Sequence, residues 1–368
     1  MTSTDVRSEV AGPRTDGAFR ALRVAGVERL CEDAVAVTFE VPDELREVYD
    51  FRPGQYLTLR KYTEAGEERR SYSICAPAGS APRVGVRRID GGLFSAWLVD
   101  GLEPGDRIDV GPPAGSFTPA LDSAAHHGLI AAGSGITPVL SIAASVLKAH
   151  PDTRVTLLYG NRRTDTVMFI EELADLKNTY GPRLHLVHVL SREPMEAEIF
   201  SGRLDADKIR TLLTALVDVV DVDHWWLCGP LGMTEAAVDV LTGLDVDRKR
   251  IHRELFYVDE PPPELHRPDE NVTGDGVTSQ VTVVLNGRRT ELTLPRSQFV
   301  LDAAQKVRGD LPFACKGGVC GTCRAKVTSG EVAMRRNFAL EEDEVDAGFV
   351  LTCQSRPVSD SVVVDYDC

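Results

Sequence analysis

The 368-residue chain carries 43% hydrophobic and 26% charged residues, ordinary for a globular protein and enough for two or three domains. A net charge of −15 argues against general nucleic-acid binding, and no apolar run reaches membrane-spanning length. Met1–Phe19 is polar, lacks the apolar core of a signal peptide and reads as a disordered arm, so the expected location is cytoplasmic, away from membranes.

Between residues 18 and 121 the pattern is one of short strands separated by turn signals. They are Ala34–Val41, Tyr56–Arg60, Ser71–Cys75, Val84–Arg88 and Arg107–Val110, with a helix near Leu93–Asp100. This predicts a small antiparallel β-barrel. Arg69-Arg70-Ser71-Tyr72-Ser73 sets donors and an aromatic face along one strand. Gly91-Gly92-Leu93-Phe94-Ser95 puts free amides at a helix start, suited to a pyrophosphate. Gly111-Pro112-Pro113-Ala114-Gly115-Ser116-Phe117 would close the barrel. Each stretch alone reads equally well as turn chemistry.

Residues 122–258 alternate apolar strands with helices. The strands are Gly128–Ala132, Val155–Tyr159, Leu184–Leu190, His224–Cys228 and Ile251–Leu255. The helices are Pro138–Ala149, Asp165–Lys177, Asp205–Leu216 and Thr234–Thr242. Such alternation predicts a doubly wound parallel sheet. Gly133-Ser134-Gly135-Ile136-Thr137-Pro138 follows the first strand, where glycines let a diphosphate approach the backbone at a helix N-terminus. The match departs from G-x-G-x-x-G after its second glycine. Arg162 follows the second strand and Ser191-Arg192-Glu193 the third; arginines there favour a nucleotide bearing a 2′-phosphate.

Residues 259–279 contain Pro261-Pro262-Pro263 among acidic and polar residues, which predicts an extended linker. Beyond it, residues 280–368 open with Val281–Leu285 and Thr290–Leu294 around Asn286-Gly287, a strong hairpin signal. A helix over Phe299–Val307 and strands at Ala325–Val327 and Ser361–Val364 complete a β-grasp pattern. Cys315, Cys320, Cys323 and Cys353 read C-x₄-C-x₂-C plus a distant fourth, the spacing of plant-type [2Fe–2S] ligands. Gly317, Gly318 and Gly321 are expected at positive φ, turning amides toward the sulfurs. Disulfides or zinc are the alternatives; zinc sites usually pair cysteines as C-x₂-C, and disulfides are rare in the cytosol. Lys316, Arg324, Lys326, Arg335 and Arg336 near the ligands, and the acidic run Glu341–Asp346, fit either a docking patch or an ordinary solvated surface.

Taken in order, R-x-Y-S, G-G-x-x-S, G-P-x-G-x-F, G-x-G-x-T-P and Cys228-Gly229-Pro230 resemble the ferredoxin–NADP⁺ reductase superfamily over about Ala18–Val258. The resemblance implies an FAD-binding barrel followed by a nicotinamide-nucleotide domain. It assigns Arg70, Ser71, Tyr72 and Ser73 to the flavin and Gly92, Leu93 and Ser95 to its pyrophosphate. Gly133, Gly135, Thr137, Pro138, Arg162, Ser191 and Arg192 would serve NADPH rather than NADH, with Cys228, Gly229 and Pro230 beside the nicotinamide. Glu254-Leu255-Phe256 resembles the family's E-x-aromatic element, Phe256 shielding the flavin, and Ser73, Cys228 and Glu254 would shape the hydride-transfer site.

With a ferredoxin module at the C-terminus, the domain order resembles reductase components of multicomponent oxygenases. The segments Cys315–Thr328 and Gly348–Pro357 look closest to reductase subunits of phenylacetyl-CoA epoxygenases. This implies a di-iron epoxygenase partner and no direct binding of the aromatic substrate. A reductase for another oxygenase or desaturase, acting on steroids or aromatic rings, is the alternative, with a redox-sensing module of vestigial sites a third.

Overall fold

The computed structural model describes residues 19–63, 66–257, 276–340 and 342–368. The three-proline run, most of the N-terminal arm and Glu341 lie outside them.

The first unit contains β1 (Arg20–Cys31), β2 (Ala34–Glu40), β3 (Tyr56–Thr63), β4 (Gly66–Ser73), β5 (Arg83–Arg87), α1 (Leu93–Asp100) and β6 (Arg107–Val110). They form one antiparallel sheet in the order β4-β3-β6-β1-β2-β5. An Ile74↔Val84 bridge joins its two edges, closing the barrel. Inward residues such as Val24, Val37, Phe39, Leu57, Leu59 and Val110 fill the interior, and α1 plugs one end with Phe94, Leu98 and Val99. Strand β1 is absent from the sequence expectation. Irregularities at Val24/Gly26 and Arg29/Cys31 interrupt its alternation, so its period of two is broken twice.

The second unit runs β7 (His126–Ala132), α2 (Ile136–Ala149), β8 (Arg154–Asn161), α3 (Ile170–Tyr180), β9 (Leu184–Leu190), α4 (Ala206–Leu216), β10 (His224–Pro230), α5 (Leu231–Thr242) and β11 (Ile251–Tyr257). The sheet is parallel, ordered β11-β10-β7-β8-β9. Helices α2 and α3 cover one face and α4 and α5 the other, which explains the unbroken apolar runs of its strands. Helix α3 begins five residues later than expected. A 3-10 turn occupies Thr164–Thr166, and Phe169 holds a left-handed φ of 58° immediately before the helix.

Barrel and parallel sheet share a core. Ala34, Ala36, Cys75 and Phe117 pack with Leu129, Ile136 and Phe169. At the seam a Cβ on Gly85 would lie 2.5 Å from the Thr137 methyl and 2.8 Å from the Phe169 ring, so only glycine fits there. Arg83 ties β5 to α3 through Glu172 at 3.0 Å.

The third unit contains β12 (Thr278–Leu285), β13 (Arg288–Pro295), α6 (Val300–Ala304), β14 (Arg324–Ser329), β15 (Val332–Met334), α7 (Glu342–Asp346), β16 (Phe349–Leu351), β17 (Ser355–Pro357) and β18 (Ser361–Asp365). Its main sheet is ordered β13-β12-β18-β14-β16, with β12 and β18 parallel and the other pairs antiparallel. This is the expected β-grasp. Asn286 and Gly287 both take positive φ, 54° and 69°, as their tight hairpin requires. Strand β12 starts at Thr278 with Ser279 buried, two residues inside the expected linker. Helix α6 is shorter than expected because Lys306 and Val307 bond back to Ala303 and Ala304, tightening the turn. Among the described residues no helix is long and apolar enough to cross a membrane.

Candidate functional site

The parallel sheet reverses its winding between β7 and β10, and ligands of such sheets bind where strand ends part at this point. Gly135 sits there: a Cβ would fall 2.2 Å from the Cys228 carbonyl oxygen. Gly133 takes φ +55° beside it, and Tyr159 donates a 3.0 Å bond to the Gly133 carbonyl, fixing the turn. Thr137 and Pro138 are buried, and the Thr137 hydroxyl donates to Ser134 O at 3.0 Å. Thr137 thereby shapes the turn, and its methyl packs against Gly85 of the barrel.

Cys228 pairs in register with Glu254 on the neighbouring parallel strand. The Ser73 hydroxyl, at the end of β4, donates to Glu254 Oε2 at 3.2 Å. So three residues far apart in sequence converge where barrel and sheet meet. Burial pushes the Glu254 carboxyl up to about 8, opposed by the Ser73 hydrogen bond. Burial likewise raises the Cys228 thiol, with the Glu254 charge adding to it. Such a site holds little fixed charge at neutral pH, suiting the passage of a hydride. Phe256 lies two residues beyond Glu254, half-buried against the shared core.

Along β4, Tyr72 stacks on Phe94 with centroids 6.2 Å apart. The Ser71 hydroxyl lies 3.3 Å from that of Thr58, and Arg70 remains partly exposed beside Glu68. Gly92 caps α1 with no side chain engaging its first amides, leaving them available to a diphosphate. Ser95 is committed internally, donating to Gly92 O and accepting from the Ile89 amide, both at 3.1 Å. Leu93 beside it is 75% exposed, an apolar side chain with open space in front of it.

Beyond the ends of β8 and β9, the amides of Ser191 and Arg192 continue the pairing, onto Asn161 O and Arg162 O at 2.9 and 2.8 Å. Glu193 accepts from the Thr164 amide and hydroxyl at 2.7 and 2.9 Å, which ties up its carboxylate. Arg162, Arg163, Thr166 and Arg192 line a cavity of about 250 Å³. Its donors suit a phosphate better than a bare ribose hydroxyl.

The cysteine loop wraps Cys315 with three amides: Gly317, Val319 and Cys320 donate to its sulfur at 3.3, 3.5 and 3.4 Å. The Cys320 thiol beside it and those amides hold the Cys315 thiol well below the usual thiol range, against burial, which pushes it up. Gly318 and Gly321 take positive φ as expected; the third such position is Lys316, at +52°, rather than Gly317. Cys315 neighbours Cys320, and Cys323 neighbours Cys353. Among the described residues no three His, Cys, Asp or Glu side chains converge as one metal ion would need. Two adjacent thiol pairs instead suit a two-iron cluster, in which each iron takes two protein sulfurs. The four-thiol donor set therefore fits [2Fe–2S].

Contacts between the cysteine loop and the barrel leave no local mark in the sequence. The Tyr56 hydroxyl lies 2.9 Å from Thr322 Oγ1, and Thr322 donates to Cys320 Sγ at 3.1 Å. Arg69 donates to Leu311 O and Gly309 O at 3.0 and 3.2 Å. No short-range pattern could have paired residues more than two hundred positions apart.

Three protein-family models match in the same order: an oxidoreductase FAD-binding domain over residues 21–118, an oxidoreductase NAD-binding domain over 129–239, and a 2Fe-2S iron-sulfur cluster binding domain over 283–358. The chain is 42% identical to a component of the 1,2-phenylacetyl-CoA epoxidase of Escherichia coli K12, covering 95% of this chain and 98% of that one. It is 35% identical to the ferredoxin reductase component of 3-ketosteroid-9-alpha-monooxygenase from Rhodococcus rhodochrous, covering 94% and 96%. The solved structure of phthalate dioxygenase reductase matches with a TM-score of 0.60 at 24% identity, over 95% of this chain and 98% of that one, a likeness of fold.

Proposed function

The chain belongs to the ferredoxin–NADP⁺ reductase superfamily, in the branch with a C-terminal [2Fe–2S] ferredoxin domain, and on that premise we propose that it carries electrons from NADPH to an oxygenase component. FAD, when bound, supplies the conversion between two-electron and one-electron transfer. The residues' tasks are binding, spacing and exclusion of water. Arg70, Ser71 and Tyr72 hold the flavin and the amides at Gly92–Leu93 its diphosphate. The Gly133–Gly135 turn and Cys228-Gly229-Pro230 receive the nucleotide. Ser73 and Glu254 hold a proton between them at the hydride-transfer site, and Phe256 shields it. Cys315, Cys320, Cys323 and Cys353 ligate the cluster.

The observation that carries this reading is the meeting of the three units: the Ser73–Glu254 contact joins barrel to nucleotide sheet, and the Tyr56–Thr322 contact joins barrel to cysteine loop. The partner we favour is a di-iron epoxygenase acting on phenylacetyl-CoA, on the 42% identity over nearly the whole chain. The second reading, a steroid hydroxylase partner, rests on the 35% relative. Reconstitution with each purified oxygenase separates them. Substrate-coupled oxygen consumption with the epoxygenase alone is expected; turnover only with the steroid enzyme would reverse the assignment.

NADPH preference rests on the arginine cavity. Arg192→Ala should raise KM for NADPH by about tenfold or more, the cost of one hydrogen bond to a charged group, ~1.5–3 kcal/mol. KM for NADH should barely move. Equal losses with both nucleotides would remove Arg192 from the phosphate site.

A further inference from the structure

Arg69 is a buried cation whose donors point out of its own domain. Its side chain is 2% exposed, its Nε faces Glu67, and its two terminal nitrogens reach Leu311 O and Gly309 O in the ferredoxin unit. The Phe313 ring lies over the guanidinium at 4.2 Å and Phe19 at 4.8 Å. A planar fork that bonds two carbonyls two residues apart fixes direction as well as distance, which a lysine cannot do. Among the described residues, the partners of the head group outside the ferredoxin unit are Glu67 and Phe19. Within the barrel Glu67 meets the Nε side of the head group, and the two terminal nitrogens find their acceptors in the docked ferredoxin unit.

Tyr56 lies on β3 directly opposite Ser73 in register, so it connects to the strand that carries the hydride-transfer site. Its hydroxyl meets Thr322, which in turn donates to Cys320 Sγ. Three hydrogen bonds and one strand pairing thus lead from Glu254 through Ser73, Tyr56 and Thr322 to a cluster ligand.

We infer that the barrel carries a dedicated seat for the ferredoxin unit, in which Arg69 latches Gly309–Phe313 and Tyr56 sets the register of the cysteine loop through Thr322. The seat holds the cluster side of that unit against the flavin side of the barrel, for one electron at a time to cross with no bond made or broken. Arg69 and Tyr56 are positioning residues. The electron-transfer consequence rests on the function proposed above; the seat itself rests on geometry alone.

The test compares full-length wild type with Arg69→Met, Arg69→Lys, Tyr56→Phe and Phe313→Leu. Small-angle X-ray scattering reports whether the ferredoxin unit stays docked, and stopped-flow absorbance separates flavin reduction from cluster reduction. Arg69→Met is expected to raise the radius of gyration and slow cluster reduction about tenfold or more, with flavin reduction unchanged. Arg69→Lys should not rescue it. Tyr56→Phe should slow cluster reduction about fivefold, as loss of one neutral hydrogen bond would, and leave the cluster's electron paramagnetic resonance spectrum unchanged. Wild-type scattering and cluster reduction in both Arg69 variants would overturn the inference. If Arg69→Met fails to fold, Phe313→Leu probes the seat from the ferredoxin side, and compact scattering with unchanged rates there would overturn it equally. A wild-type protein with no cluster absorbance would refute the proposed function instead, while the scattering arm would still decide whether the seat exists.

Discussion

Cys320→Ser is expected to abolish cytochrome c reduction while hydride transfer from NADPH to the flavin survives. Cys320 accepts hydrogen bonds from the Cys315 amide at 3.5 Å and the Thr322 hydroxyl at 3.1 Å, so the loop's donors are turned onto its sulfur as well. A serine hydroxyl ionises far less readily than a thiol and is a poor ligand for iron in a sulfur-lined site. Loss of outer-shell partners alone costs about 10–100-fold in metal affinity, so losing a direct ligand should lower one-electron delivery by more than about a hundredfold. The residues proposed for the flavin and the nucleotide lie in other units, and Ser73 and Glu254 bond each other directly without Cys320. Flavin bleaching on mixing with NADPH should therefore keep its wild-type rate, while cluster absorbance and the reduced-cluster magnetic signal vanish. Loss of flavin bleaching in a folded variant would contradict the separation of the two steps.

That separation was legible in the sequence because each unit announces itself locally. Strand–helix alternation, cysteine spacing and the Asn286-Gly287 turn are short-range patterns, and the fold follows them. The failures share a cause as well. Strand β1 hides behind two irregularities, helix α3 starts late because Thr164–Thr166 turns first, and Lys316 takes a conformation usually left to glycine. In each case tertiary context overrides local preference: β1 is held between β2 and β6, and the Lys316 carbonyl accepts from Gln354 at 2.8 Å. Ser73, Cys228 and Glu254 could be named from resemblance, but their meeting could not be derived from spacing. Arg69 shows the limit most plainly. It stands next to Arg70 in a recognisable motif, yet its partners are backbone carbonyls more than two hundred residues away, which no side-chain pattern encodes.

Gly135→Ala is expected to be the most damaging single-carbon change in the nucleotide unit, and comparison with Gly133→Ala shows why. Gly133 has φ +55°, so alanine there takes on left-handed strain of ~1–2 kcal/mol. Its nearest obstacle is the side-chain head of Arg87 at 3.3 Å, tighter than most contacts but not a clash with backbone. Gly135 has an ordinary helical φ of −62°, so backbone conformation costs alanine nothing. Space decides instead: the new methyl would meet Cys228 O at 2.2 Å, Cys228 C at 2.6 Å and Gly229 N at 2.9 Å. All three atoms are backbone of β10, clamped between β7 and β11, and cannot retreat. Helix α2 must move instead, and with it the turn proposed to receive the diphosphate. Overpacking of this kind costs roughly 3 kcal/mol, the upper part of its usual range. Urea unfolding should show that loss, and KM for both nucleotides should rise together, because the shared diphosphate site is what shifts. Gly133→Ala should lose less stability. A Gly135→Ala protein within about 0.5 kcal/mol of wild type, the ordinary scatter of surface substitutions, would mean that the close approach of α2 to β10 does not constrain this site.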